Sequence, residues 1–304
     1  MRKIVWCDIV KRASLLFVFL CLLFSGCAKK HTPQSSTGPE QKLQTICSDE
    51  LHLSCGLFAA GKTLWVYVPV KKRFFDLRAN GEPIVKTPAA AREMTLKFIK
   101  GDFAERNFVF SYDARDEVDY PKTLGYGTTY TNSYMVLRQG VLSSINRAYG
   151  DQDTAASGTA PTFVMVVLTD IERGLEARIL MNLDDLKRGM SDPGFQEEFA
   201  MRMINEPLTG SKKMIGDKAG RHLQTKDILW PEFLTKQTVY RVEFQYHQNK
   251  IKPTGPVDDV VLKAMYETLS AYGFTDFDEV RLKNLENGKE RDVKRGEILD
   301  TSLP

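Results

Sequence analysis

The sequence predicts an α+β fold in which mixed β-sheets pack against amphipathic helices. Three observations lead there. Thr63 to Val68 alternates Leu64, Val66 and Val68 with Trp65 and Tyr67, a period-two pattern apolar on both faces, as in a strand inside a sheet. Between Asn132 and Tyr149, Leu137, Val141, Ile145 and Ala148 recur at the 3.6-residue spacing of a helix. Near the C-terminus, an alternating run over 239–247, a helical pattern over 257–272 and a short strand over 279–285 predict a β-α-β unit.

The chain begins with a different kind of segment. Arg2, Lys3, Lys11 and Arg12 precede the unbroken apolar run Ala13 to Phe24, the charged and apolar regions of a secretory signal. A permanent span needs about 20 apolar residues, and this run meets Lys29 and Lys30 too soon. Residues 1–26 are therefore expected to be a cleaved signal peptide.

The run ends in Leu23-Phe24-Ser25-Gly26-Cys27, which resembles the lipobox of bacterial lipoproteins, with Phe24 where that pattern usually carries leucine. The resemblance covers the signal and cleavage site alone. It implies that Cys27 becomes an acylated N-terminus, bound to membrane lipid through several chains at about 0.8 kcal/mol per buried methylene. It also implies a cell-envelope address. In a diderm organism Ala28, rather than aspartate, after the cysteine points to the outer membrane, facing the periplasm.

Residues 27–44 are expected to be lipid anchor and flexible tether, because they are polar and carry Pro33, Pro39, Ser35, Ser36 and Gly38. At Gly-rich scaling such a tether spans roughly 20–25 Å. Residues 45–304 are expected to be the globular part, in one domain or two subdomains. There, 51–58 is expected to pair with 63–68 across Ala59-Ala60-Gly61. Met94, Leu96 and Phe98 are expected to form a hairpin with Phe108, Phe110 and Tyr112, turning near Gly101-Asp102. Helix 132–149 precedes a strand at 163–168, Gly174 turns into a strand at 177–183, and Asp192-Pro193 starts a helix reaching Asn205. In the C-terminal unit, Tyr240, Val242, Phe244 and Tyr246 are expected to face inward. Val257, Val261, Met265, Leu269 and Tyr272 line one side of a helix that begins after Pro256 and stops at Gly273.

Charge excludes one class of function. The chain carries 42 basic and 39 acidic side chains, and segment 1–27 holds four of the basic ones and one acidic, Asp8, leaving 38 of each. The remainder is neutral, so nucleic-acid binding has no electrostatic footing, and no zinc-finger, RRM or helix-turn-helix pattern supports it.

Of five cysteines, Cys7 and Cys21 leave with the signal and Cys27 is assigned to lipid. Cys47 and Cys55 remain, and in an oxidising compartment their simplest reading is one disulfide. Free buried thiols are a second reading. Metal ligation together with His52 is a third, lacking an evident fourth ligand.

Catalytic patterns are sparse. His52, His222 and His247 sit in no H-E-x-x-H motif, no G-x-S-x-G elbow occurs, and no glycine loop has nucleotide-binding spacing, so neither a cofactor nor a metal is expected. Asp113, Asp116, Glu117 and Asp119 bunch as hard oxygen ligands do, but they lack EF-hand spacing, and a solvated acidic turn is the preferred reading. Lys212, Lys213, Lys218, Arg221 and Lys226 form a basic stretch suited to anionic headgroups or to a surface loop. Tyr120, Tyr126, Tyr130 and Tyr134 supply aromatic surface for sugars or proteins, or rings that pack on the domain. The expectation is a tethered, non-catalytic domain binding another envelope component, a protein or polymer. The alternatives are an envelope hydrolase with an acidic site led by Asp113, Asp116 and Asp119, and capture of small solutes.

Overall fold

A computed structural model describes residues 38–79, 94–116, 126–150, 160–209, 215, 217–248, 253 and 255–300. The fold is α+β with two mixed sheets. The first compact element is helix α1 (Pro39–Thr45), followed by a π-helical turn (Ile46–Glu50). Residues 39–44 thus belong to the domain, which corrects the expected extent of the tether. Pro39 occupies the first helical position, where its missing N–H costs nothing, and Leu43 and Ile46 fall three apart on one buried face.

Strand β1 (Gly56–Ala60) pairs antiparallel with β2 (Thr63–Val70) through a turn at Gly61-Lys62, so this hairpin is shorter than expected on its first arm. Then come β3 (Phe75–Ala79), β4 (Met94–Ala104), β5 (Asn107–Asp116), β6 (Tyr126–Tyr130) and α2 (Asn132–Tyr149). The β4–β5 turn is Glu105-Arg106, not Gly101-Asp102. Both turn residues take left-handed φ, 52° and 62°, as a two-residue hairpin connection between right-twisted strands requires. A register shift between Leu96 and Phe98 turns Phe98 outward, where it is exposed.

The chain continues through β7 (Phe163–Asp170), β8 (Leu175–Asn182), α3 (Leu183–Ser191), a short 3-10 turn (Pro193–Phe195), α4 (Gln196–Arg202) and β9 (Ile204–Thr209). Asp192 caps the Pro193 turn by accepting from Gly194 N at 2.9 Å, and the helical stretch ends at Arg202 because Ile204 already pairs with Leu180. Helix α3 fills the stretch between the expected strand and the expected helix. Asn182 is its cap, accepting from Asp184 N and Asp185 N.

Residues 239–247 are not a strand. They lie in α5 (Trp230–Glu243) and a π-helical turn (Phe244–Gln248), followed by α6 (Val257–Tyr272), β10 (Glu279–Asn284), β11 (Glu290–Lys294) and α7 (Arg295–Asp300). Phe233, Leu234, Thr235, Gln237, Thr238, Arg241 and Val242 are the buried set of α5, at helical spacing. The polar members are paired: Gln237 donates to Met201 O at 2.6 Å and Arg241 to Glu198 at 2.7 Å. The C-terminal part still alternates strand and helix, from β9 through α5 and α6 to β10; β9 and β10 belong to different sheets.

Sheet order is β1-β2-β7-β8-β9 in one sheet and β11-β10-β5-β4 in the other, with β3-β6 as a separate ribbon. The pairs β2/β7 and β5/β10 are parallel. Strand β2 is buried on both faces and separates two apolar clusters. Leu64, Val66 and Val68 pack with α1, α2 and α3, while Trp65 and Tyr67 pack with α5, α6 and the second sheet. Among the described residues no helix is long and apolar enough to cross a membrane.

Candidate functional site

Two regions bring functional side chains together. The first lies where β6 leads into α2. Thr131 caps α2 by accepting from Tyr134 N at 3.1 Å, and its own hydroxyl donates to Arg73 O at 2.6 Å, which fixes the end of the β3–β6 ribbon. Tyr130 stacks on Tyr134, with centroids 4.5 Å apart and planes 17° apart, and Tyr134 is buried against Phe74. Burial pushes both tyrosine pKa values up. Beside this stack Met135 and Val136 stand in water, 45% and 64% exposed, and Tyr130 is 37% exposed. Arg138 reaches Met203 at 3.2 Å, and Gln139, one turn on from Met135, lies 3.9 Å from Met190. This end of α2 therefore shows tyrosine, methionine, valine and arginine together, a set in which the aromatic, methionine and arginine are the types that protein interfaces favour over lysine and glutamate.

The opposite end of α2 receives the chain from its N-terminus. The Tyr149 hydroxyl is pushed up in pKa by burial and by the charge of Glu40, and Arg147 forms a bidentate pair with Glu50 at 2.5 and 2.8 Å. From Tyr149 back to Val136 is about 20 Å along the helix at 1.5 Å per residue.

The second region is a strap, residues 217–228, drawn across the five-stranded sheet. Tyr67 OH donates to Asp217 O at 2.6 Å, Trp65 Nε1 to Lys226 O at 2.9 Å, and Ile228 N to Thr63 Oγ1 at 2.8 Å. Gly220 adopts φ 69° against Tyr67, where a Cβ would come within 2.9 Å of the ring. Beneath the strap Glu176, 1% exposed, accepts from Arg178 Nε at 2.7 Å and Thr169 Oγ1 at 3.3 Å, with His222 Nε2 at 2.9 Å. Burial and the neighbouring Glu176 and Asp217 charges push Tyr67 up to about 12.

A carboxylate beside an imidazole is the orienting half of a general base. Here Nε2 faces the carboxylate and Nδ1 is the ring nitrogen turned away from it. Nδ1 is buried without a hydrogen-bond partner among the described residues. Glu176 and His222 act as a latch that holds the strap down.

The other expected site residues fall elsewhere. Cys27 lies outside the described residues. Cys47 and Cys55 are unbridged thiols, Cys47 buried and Cys55 half-buried. His52 is exposed at φ 54°, and among the described residues no three His, Cys, Asp or Glu side chains gather to hold a metal ion. Asp113 is half-buried on β5, whereas the side chain of Asp116, and Glu117 and Asp119 entirely, lie outside the described residues. So do Tyr120, Lys212 and Lys213, and the side chains of Tyr126 and His247. Within the basic stretch Arg221 pairs with Asp217 at 3.0 Å and Lys226 with Glu232 at 2.7 Å, so two of its charges are answered locally. Sequence reasoning missed Met135 and Val136, although an apolar pair on the polar side of helix 132–149 was a readable signal. It also missed Glu176, which alternates with apolar residues and carries no motif. Compared with protein families, characterised proteins and solved structures, the chain matches none.

Proposed function

We propose that this is an exported protein held at a cell-envelope membrane by acylated Cys27, and that its domain binds another envelope protein rather than turning over a substrate. The address rests on the Leu23-Phe24-Ser25-Gly26-Cys27 sequence after the apolar run. Binding rests on one observation: Tyr130, Met135 and Val136 are all exposed near the N-terminal end of α2, beside the Tyr130–Tyr134 stack. Single exposed apolar residues are ordinary, but adjacent ones beside an aromatic stack leave apolar area that a partner would remove from water. The C-terminal end of α2 is covered by α1, which leaves the N-terminal end for a partner.

A photo-reactive residue placed at position 136 in intact cells tests this. One reproducible protein adduct is expected from position 136, absent from the exposed position 196 and lost when Tyr130→Asp is added. Identical adducts from both positions would sink the assignment.

A further inference from the structure

The exposed residues near the N-terminal end of α2 stand beside positive charge. Thr131 Oγ1 donates to Arg73 O at 2.6 Å, which brings Lys71, Lys72 and Arg73, all exposed, to the start of the helix. The first turn of α2 holds no acidic residue. Arg138 follows Met135 by three positions and Tyr134 by four, so it is the helical neighbour of both, one turn further on.

Among the described residues Arg138 pairs with no carboxylate. Its Nη2 reaches Met203 Sδ at 3.2 Å, and a thioether is a weak acceptor, while its Nε is buried with no hydrogen-bond partner. The carboxylates on either side of Met203 in the chain are engaged elsewhere: Glu198 accepts from Arg202 and Arg241, and Glu206 from Lys236 at 2.7 Å. A half-buried guanidinium in this state has lost water without gaining an acceptor of matching strength.

We infer that the face at Tyr130, Met135 and Val136 takes a protein segment carrying an aspartate or glutamate next to apolar side chains, with Arg138 receiving the carboxylate. This rests on the reading that the face binds an envelope protein, and it names the chemistry of what is bound. Guanidinium and carboxylate are both planar and can pair through two parallel hydrogen bonds, so the arriving acid supplies the acceptor that the chain itself lacks at Arg138. Its apolar neighbours remove Met135 and Val136 from water. Lys72 adds positive charge beside the helix start, which steers an acidic segment towards this face. An anionic membrane suits the face less well. Headgroup binding uses clusters of about four to eight basic residues, and Lys71 is already answered by Glu172 at 3.7 Å.

The test uses the full chain in intact cells, with the photo-reactive residue at position 136 and mass spectrometry of the linked partner peptide. That peptide is expected to hold an aspartate or glutamate within about five residues of the linked position, roughly 17 Å of extended chain. Arg138→Met is expected to lower the adduct yield about tenfold at an unchanged urea midpoint, and Arg138→Lys to lower it less. Arg138→Glu should abolish the adduct, and exchanging the partner's acid for arginine should bring it back. A partner peptide without an acid, an undiminished adduct from Arg138→Met, or no rescue by the exchange in variants as stable as wild type would overturn the inference, while the wild-type adduct still upholds protein binding. The wild-type peptide decides the point even where a variant does not fold. No adduct, a linked phospholipid or a linked second copy of this chain would overturn both the inference and the reading beneath it.

Discussion

Arg241 is 6% exposed inside α5, where Glu198 accepts from its Nη2 at 2.7 Å and Glu267 lies 3.4 Å from Nη1. Glu198 also accepts from Arg202 at 2.8 Å. Partial burial raises the Glu198 pKa, but the two guanidinium groups outweigh it and hold the carboxyl below the usual range. A carboxyl with a lowered folded pKa contributes stability that is complete above its unfolded value and is lost as pH falls through the folded one. Glu198→Gln is therefore expected to cost about 1 kcal/mol at pH 7, discounted from the usual charged hydrogen bond because the side chain is 40% exposed. Urea unfolding should also show the variant losing less further stability than wild type below about pH 4.5, as wild-type Glu198 gives up its advantage over the unfolded chain. Asp185 runs the other way: burial raises its pKa although Tyr272 donates to it at 2.5 Å and Arg202 at 3.0 Å, so its contribution is present at low pH and fades as pH rises. Most of these partners are hidden in the sequence, because the contacts of Asp185 join residues 17 and 87 positions apart and those of Arg241 span separate helices, and only packing selects them.

At the scale of elements, patterns that burial reinforces were legible and patterns that a neighbour overrides were not. Helices 132–149 and 257–272 have the expected bounds because caps and apolar stripe agree: Thr131 begins one, and Gly273 at φ 62° ends the other. Strands 63–70 and 163–170 were readable because both faces of each are apolar. The alternation Tyr240, Val242, Phe244, Tyr246 misled, since α5 buries its polar residues on a helical face by pairing Gln237 and Arg241. Gly101 misled as a turn residue. It lies within β4, and a Cβ there would meet Thr235 Cγ2 at 2.4 Å and Phe110 Cε1 at 2.9 Å, so its smallness lets α5 pack on β4. Gly101→Ala is expected to cost about 1–3 kcal/mol by overpacking, measured by urea denaturation. An unchanged midpoint would show that α5 does not press on this strand as described.

For the whole molecule, the compact unit begins at Pro39, six residues earlier than the composition predicts, because Leu43 and Cys47 find a cluster to enter that a single sequence does not display. The strap over Glu176 was equally invisible: its partners on β2 and β8 lie between about 45 and 165 residues away in the chain. Residue 27 carries the heaviest consequence, since the address, the accounting of five cysteines and the neutral charge of the mature chain all depend on it. Mass spectrometry of the mature N-terminus, on protein isolated from cell membranes, tests that claim most directly. The account predicts a chain that starts at Cys27 and carries two or three acyl chains on that residue; an unmodified N-terminus at any position would contradict it.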